Sequence, residues 1–416
     1  MIKLKLHWQV IIAMGLGILF ALTFGERSLI VAPLGTIFMR LLKMIIVPLI
    51  LFSITSGVAS LGDSKTLGRM GAKTFGYYLF TSLSAILIGL TLTNLIKPGA
   101  GVTLTGMESA FDPSTLSTPD SPIDIFYRMI PTNPIQAAAD GNILALIFWC
   151  ILFGFAITRL TGKPKDVLVN FFDAGFKAMM ALTHGIIRFL PIGVFGLITK
   201  AVASTGFDLF QAVGKYMLTI AIGLSIHFLI VLPLVFYFMT KINPLKHWKA
   251  MAPAFATAFS TSSSGATLPV TMDCVENNCG VSNKTSSFVL PLGATINMDG
   301  TALYECAGVL FIAQALGIDL SLTQQILVVI TAFLASVGAA AIPSAGLVMI
   351  FIVLEAVGLA DHPGAALIVG TMLAVDRPLD MARTMVNVGS DSIGAVVVAQ
   401  SEGETNLYEQ KAESSE

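Results

Sequence analysis

Asp376, Asp380, Arg383, Asn387 and Asp391 recur at steps of four, three, four and four residues, so an α-helix places all five on one face. The segment that holds them, 364–400, is otherwise largely apolar, and a charge at the centre of a membrane helix costs about 3 kcal/mol. That face must look into protein or a watery cavity. A second apolar segment, 285–316, carries only Asp299 and Glu305 as charges, within the run Gly293 to Glu305 that also holds Thr295, Asn297, Met298 and Thr301. Asn297, Asp299, Thr301, Thr384, Asn387 and Asp391 offer more oxygen than Arg377 and Arg383 can absorb. Hard alkali cations want such oxygens, so dehydrated sodium sites are the chemistry this pattern supports. The plain alternative is a structural ladder, Asp380 with Arg383 or Asp376 with Arg377. Glu305 stands apart, because an unpaired carboxyl in an apolar helix crosses a membrane only as the neutral acid, which makes it a candidate proton carrier. Its plain alternative is a lasting pair with Arg377 or Arg383.

Composition sets the medium. Of 416 residues 55% are hydrophobic and 12% charged, against about 25% charged in ordinary soluble domains, and the mean hydropathy is +0.82. This excludes an ordinary soluble fold. A net charge of −1 without a basic stripe excludes a nucleic-acid partner. Cys150, Cys274, Cys279 and Cys306 lack CxxC spacing and His companions, so they read as small apolar residues rather than a zinc site or disulfide scaffold. No Gly-rich phosphate loop is present, and no organic cofactor is expected.

The chain reads as an all-α polytopic membrane protein. A spanning helix needs about 20 mostly apolar residues, and eight such stretches occur, near 8–25, 32–60, 74–96, 142–158, 178–202, 211–239, 285–316 and 364–400. The first has no small-x-small cleavage site and reads as a retained helix. Three further apolar segments, 122–141, 250–279 and 320–358, are interrupted. The second breaks at Thr261-Ser262-Ser263-Ser264-Gly265. The third breaks at 339–346, where small residues surround Pro343. Both read as re-entrant hairpins, and paired broken segments in two halves of a chain point to a transport site. Taken alone, the serine cluster is equally an ordinary polar turn. Basic residues gather in alternate loops, at Lys3 and Lys5, at Lys65, Arg69 and Lys73, at Arg159, Lys163 and Lys165, and at Lys241, Lys246 and Lys249. The N- and C-termini are therefore expected in the cytoplasm. The tail 401–416 is polar and reads as frayed.

Several long motifs carry a resemblance. The stretches 261–270, 293–305 and 376–391, with Arg40, Lys43, Val47 and Pro48, 97–101, Pro131-Thr132-Asn133-Pro134 and 190–195, resemble the glutamate transporter homologues. That family comprises dicarboxylate/amino acid:cation symporters, including the excitatory amino acid transporters. The resemblance covers nearly the whole chain. It implies a homotrimer built on inverted repeats, with eight transmembrane helices and two re-entrant hairpins. Each protomer would have a fixed scaffold, 1–73 and 99–208, and a transport domain, 74–98 and 209–400, that moves as an elevator, with 401–416 a cytoplasmic tail. By position, Arg383 would grip a side-chain carboxylate and Asp380 an α-ammonium. Asn387, Thr384, Thr301, Ser263, Ser264, Ile342 and Gly346 would complete the substrate site. Three sodium positions are implied: Asn297, Asn387 and Asp391 with the Gly293 carbonyl; Tyr78, Thr81, Ser82, Asn297 and Asp299; and carbonyls near Thr295, Ser336, Val337 and Ala339. Met298 would link ions to substrate. Glu305 stands where proton-coupled animal members also have Glu, implying sodium plus proton coupling.

The second arginine that assists in relatives, beside the serine triplet or at the position of Met381, is absent here. The long glycosylated insertion of animal members is missing from 122–158, so a bacterial-type inner (plasma) membrane protein is expected. The substrate read is L-glutamate or L-aspartate, with C4-dicarboxylates and neutral amino acids as alternatives within the family. An intramembrane serine hydrolase has no GxSxG motif and no base beside 262–264, since His184 and His227 fall in segments assigned elsewhere. An anion channel lined by Arg377 and Arg383 is the other rival class. The expectation is a transporter, not an enzyme.

Overall fold

The computed structural model describes residues 6–59, 65–102, 127, 129–140, 142–205, 208–337 and 345–408, and every regular element among them is helical. In chain order these are α1 Leu6–Phe24, a 3₁₀ turn Gly25–Val31, α2 Ala32–Ala59, α3 Lys65–Ile96, α4 Pro134–Ala139, α5 Ile143–Thr158, α6 Lys163–Ile187 and α7 Leu190–Thr205. Next come α8 Asp208–Ile226, a π-turn His227–Val231, α9 Leu232–Thr240, α10 Pro244–Thr261, α11 Ser264–Asp273 and a second π-turn Cys274–Asn278. The chain closes with α12 Asn283–Ile296, α13 Asp299–Ala315, α14 Leu322–Val337, α15 Ala345–Ala356 and α16 Pro363–Ser401. Several starts are written locally. Asn133, Asn142, Asn243, Ser263 and Ser282 each turn a side-chain oxygen onto a free N–H of the following first turn.

Among the described residues, three helical stretches are long and apolar enough to cross a membrane, Ile12–Phe38, Arg69–Ile96 and Leu209–Thr240. The eight expected spans need correction in two places. The stretch 178–202 is divided between α6 and α7, because Pro191 has no N–H to donate to the Ile187 carbonyl. The stretch 285–316 is divided at Asn297 and Met298, which leave the helical region, with φ of −100° and −123°. The boundary drawn at 73 falls inside α3, which runs unbroken from Lys65. Of the hairpin break at 339–346, residues 339–344, Ala339 and Ile342 among them, lie outside the described residues.

Packing divides the helices. α2 contacts α5, α6 and α7, and α1 lies along α7. α13 sits at the centre of the rest, against α3, α8, α14, α15 and α16. It is buried on every side, as an apolar helix with no wet face must be. α16 packs on α8, α10, α12 and α13 and also touches α7. Outer faces expose large apolar side chains such as Leu19, Ile37, Phe80, Leu218 and Phe238, a surface that suits lipid rather than water. All four cysteines are free and buried.

The segment after α16 is docked rather than frayed as far as Tyr408. Arg69 Nη2 and Lys73 Nζ reach Glu402 at 2.5 and 2.6 Å. Glu404 accepts from the Ser282 N–H and from the Ser282 and Thr285 hydroxyls, closing the N-terminus of α12. The Tyr408 N–H donates to the Cys279 carbonyl at 2.9 Å, and its hydroxyl meets His247 Nδ1 at 2.6 Å. Residues 409–416 lie outside the described residues. The hydrogen bonds from Arg69 and then Lys73 hold the Glu402 carboxyl down at about 2, from an ordinary 4.5. A depressed carboxylate stabilises the docked form above its free value and stops doing so as the pH falls through the bound one. Hydrogen-exchange protection of the Tyr408 amide, corrected for intrinsic rate, is therefore expected to fall between pH 4.5 and about 2. Glu402→Gln should show the low protection already at pH 7, and equal protection in both proteins would refute the clasp.

Candidate functional site

Helix breaks bring the oxygen-bearing residues together. α10 ends because Ser262 takes the left-handed conformation, φ 52°, after which Ser263 is extended and caps α11 through the Ala266 N–H at 3.1 Å. Ser264, 5% exposed, opens α11. The non-helical pair Asn297 and Met298 separates α12 from α13, so the N–H groups that begin α13 face α16. α16 itself runs unbroken through Pro378 and presents its polar stripe to these breaks.

Asp299 organises the first cluster, at the N-terminus of α13. Its Oδ1 accepts from Ser82 Oγ at 2.6 Å and Thr81 Oγ1 at 3.3 Å. Ser82 lies 3.4 Å from Asn297 Oδ1. Asp299, Asn297 and Thr81 are fully buried and Ser82 is 1% exposed. The side chains of four of the five residues expected at this sodium position are thus in contact. Tyr78 joins them through its carbonyl, 3.3 Å from Thr81 Oγ1, while its hydroxyl donates to the Val289 carbonyl at 2.9 Å.

The second cluster surrounds Asp391. Asn297 Nδ2 donates to Asp391 Oδ1 and to Ser390 Oγ, each at 2.9 Å. Asn387 does not turn to Asp391. Its Oδ1 accepts from the Gly300 N–H at 2.8 Å and its amide donates to Thr301 at 3.2 Å, so it ties α16 to the start of α13. Gly293 is the close approach between the clusters. A Cβ there would lie 2.5 Å from both Asp391 Oδ1 and the Tyr78 hydroxyl. Overpacking of this kind costs about 1–3 kcal/mol. Gly293→Ala is accordingly expected to raise the sodium concentration for half-maximal uptake roughly tenfold, checked by sodium titration of transport; an unchanged titration would exclude Gly293 from the ion site.

The third cluster is cationic. Arg383 is 1% exposed, and its Nη2 reaches Asp380 at 2.7 Å and Asp376 at 3.3 Å. Arg377 lies 3.7 Å from the other Asp380 oxygen. The ladder of alternative pairs therefore forms in part, with Asp376 joined to Arg383 rather than to its neighbour Arg377. The guanidinium lies 3.9 Å over the Tyr304 ring, and the Tyr304 hydroxyl donates to Asp376 at 3.1 Å. Among the described residues, Nε and Nη1 of Arg383 are buried without a hydrogen-bond partner. Gly346 passes so close that a Cβ would sit 2.5 Å from Nη1. Thr301 is bonded to Asn387, whereas the Thr384 hydroxyl turns back to the Asp380 carbonyl at 2.8 Å.

Thr295 and Val337 line one cavity of about 360 Å³ with Ser53 and Ser56 of α2. The Ser336 hydroxyl bonds locally to the Phe333 carbonyl. Met298 is buried at the break between α12 and α13. Glu305 is fully buried and, among the described residues, neither oxygen has a hydrogen-bond partner, so it makes no direct ion pair with Arg377 or Arg383. Two residues of these clusters go unmentioned in the stripe of spaced charges. Ser390 bridges Asn297 and Thr81, and the only hint was its three-residue step from Asn387. His227 meets Asp299 at 3.0 Å, and the hint was a titratable side chain in an apolar segment.

Comparison with known proteins extends the resemblance. A profile of the sodium:dicarboxylate symporter family matches residues 6–401. Human excitatory amino acid transporter 3 is 38% identical over 414 residues, covering 88% of this chain and 78% of that protein. An excitatory amino acid transporter of Caenorhabditis elegans is 37% identical over 408 residues, 88% of this chain and 80% of that one. Neutral amino acid transporter B(0) of Mus musculus is 37% identical over 439 residues, 93% and 78% respectively. These are animal proteins, and the expectation of a bacterial-type member is not borne out by them. The family is one of sodium-coupled transporters rather than enzymes, and a helical chain with lipid-suited outer faces fits a multi-pass membrane protein. A match over 6–401, with relatives near 37% identity along most of the chain, places this protein in the sodium:dicarboxylate symporter family.

Proposed function

We propose that this chain is a secondary active symporter that takes up L-aspartate or L-glutamate with sodium and a proton. The observation that carries the reading is Arg383: a buried guanidinium with Nε and Nη1 unpartnered, beside two oxygen-rich clusters. Its free charged donors match carboxylate oxygens better than those of any neutral side chain. Asp380 takes the α-ammonium, and Asn387, Thr384, Thr301, Ser263, Ser264, Ile342 and Gly346 complete the substrate site. The sodium positions are those centred on Asp391 and Asp299, with a third near Thr295, Ser336, Val337 and Ala339. Met298 couples them to substrate by population shift.

The proposed working unit is a homotrimer in the plasma membrane, with both termini cytoplasmic. Residues 1–73 and 99–208 form the scaffold, and 74–98 and 209–400 form the transport domain that moves as an elevator. The packing of α1, α2, α5, α6 and α7 with one another, and of α3 with α8 and α13, supports this division. One observation favours a second reading. Asp380 is already paired with Arg383 and Arg377, so a C4-dicarboxylate without an ammonium leaves no bare charge there. Uptake of labelled L-aspartate, L-glutamate and succinate into proteoliposomes, under a sodium gradient, a proton gradient and both, tests the proposal. Sodium-dependent accumulation of the amino acids supports it; accumulation of succinate alone selects the second reading, and uptake without sodium refutes the ion sites.

A further inference from the structure

α8 does not continue regularly into α9. At His227 the helix gains one residue in a π-turn, with the Leu232 N–H donating to the His227 carbonyl. Pro233 follows and has no N–H for the Leu229 carbonyl, which is where a regular helix would need one. π-turns are uncommon and concentrate at functional sites. This one inserts about 100° of helical phase at a single imidazole, and the ring meets Asp299. His227 Nε2 lies 3.0 Å from Asp299 Oδ2, with both side chains fully buried. Nδ1 has no hydrogen-bond partner among the described residues, so the ring donates through Nε2 and leaves a bare lone pair at Nδ1, which costs less to bury than an N–H.

The two Asp299 oxygens therefore have different partners. Oδ2 belongs to His227 of the π-turn, and Oδ1 belongs to Ser82 and Thr81 of α3. From this division we infer that His227 is a positioning residue for the Asp299 cation site. Its Nε2–H holds the carboxylate by one oxygen, so that the other faces the Ser82, Thr81 and Asn297 oxygens as a single ligand. Hydroxyl donors can rotate to offer lone pairs when an ion enters, whereas the His227 bond stays. A carboxylate fixed in this way needs no reorientation on binding, and outer partners of this kind are worth about 10–100-fold in metal affinity. The inference rests on reading Asp299 as a sodium ligand.

The test measures sodium binding without substrate, as the sodium-induced rise in melting temperature of the detergent-solubilised protein, alongside sodium and L-aspartate titrations of uptake. In His227→Leu the sodium half-saturation should rise about tenfold or more, with the L-aspartate half-saturation at saturating sodium unchanged. His227→Gln, whose amide N–H reaches about as far as Nε2, should restore most of the sodium affinity. The shorter His227→Asn should not. Wild-type sodium binding in His227→Leu would overturn the inference, as would loss that Gln cannot restore any better than Asn. Asp299→Asn separates the two levels: if it binds sodium as the wild type does, the reading of the Asp299 centre fails, whereas its loss of binding beside an unaffected His227→Leu sinks only the role of the histidine.

Discussion

Arg383→Cys is expected to lower L-aspartate uptake by at least about a hundredfold while leaving the protein folded and in the membrane. The unpartnered Nε and Nη1 lie on different sides of the guanidinium, so each can give one substrate oxygen a charge-assisted bond, each worth about 1.5–3 kcal/mol. Their sum corresponds to roughly 10²–10⁴ in affinity. Two features of the pocket keep those donors available. The Tyr304 ring lies under the guanidinium plane at 3.9 Å, and Asp380 and Asp376 both draw on Nη2 alone. Arg383→Lys should also lose most acidic uptake, because an ammonium is a point donor that cannot copy the fork. The Cys variant leaves Asp376 and Asp380 without their shared cation, so its melting temperature and membrane yield belong in the measurement. L-serine uptake is the informative companion, since a pocket without the guanidinium has room and no unmet positive charge for a neutral substrate. Undiminished L-aspartate uptake in a folded Arg383→Cys protein would remove Arg383 from the substrate site.

Much of this site was legible because membrane burial makes polar side chains conspicuous. The 376–391 stripe follows helical steps, and α16 is indeed one unbroken helix, Pro363–Ser401. The serine break at 261–264 was equally plain, and Ser262 and Ser263 end one helix and cap the next. Other features depend on contacts that no local pattern encodes. The separation of α12 from α13 at Asn297 and Met298 has neither Gly nor Pro at the break. It is held from outside, by Ser82, Ser390, Asp391 and Asn387. Asp376 pairs with Arg383 because residues seven apart share a helix face, whereas Arg377 points about 100° away. His227 reaches Asp299 across 72 positions of sequence, and the docking of Glu402 and Glu404 depends on basic and hydroxyl partners on α3 and α12. Local rules found the helix faces and the breaks; long-range pairing decided which oxygens meet.

Glu305→Gln is expected to remove proton-driven accumulation while sparing exchange of labelled for unlabelled L-aspartate. The carboxyl sits in the middle of α13, fully buried and with neither oxygen hydrogen-bonded. An ionised carboxylate in such a place costs several kcal/mol, so under the proposed elevator movement the transport domain would carry Glu305 as the neutral acid. The proton would then travel with sodium and substrate, and its release on the far side would reset the site. Glutamine has the same shape, stays neutral and brings no proton. The loaded domain of the Gln variant can still cross in both directions, which is what exchange reports. Each proton coupled to uptake adds about tenfold accumulation per pH unit of imposed gradient, and the variant should lose that factor while keeping the sodium-driven component. Uptake that still rises with an inward proton gradient in Glu305→Gln would move the proton to another residue. Loss of exchange together with net uptake would instead make Glu305 part of the packing on which the whole movement depends.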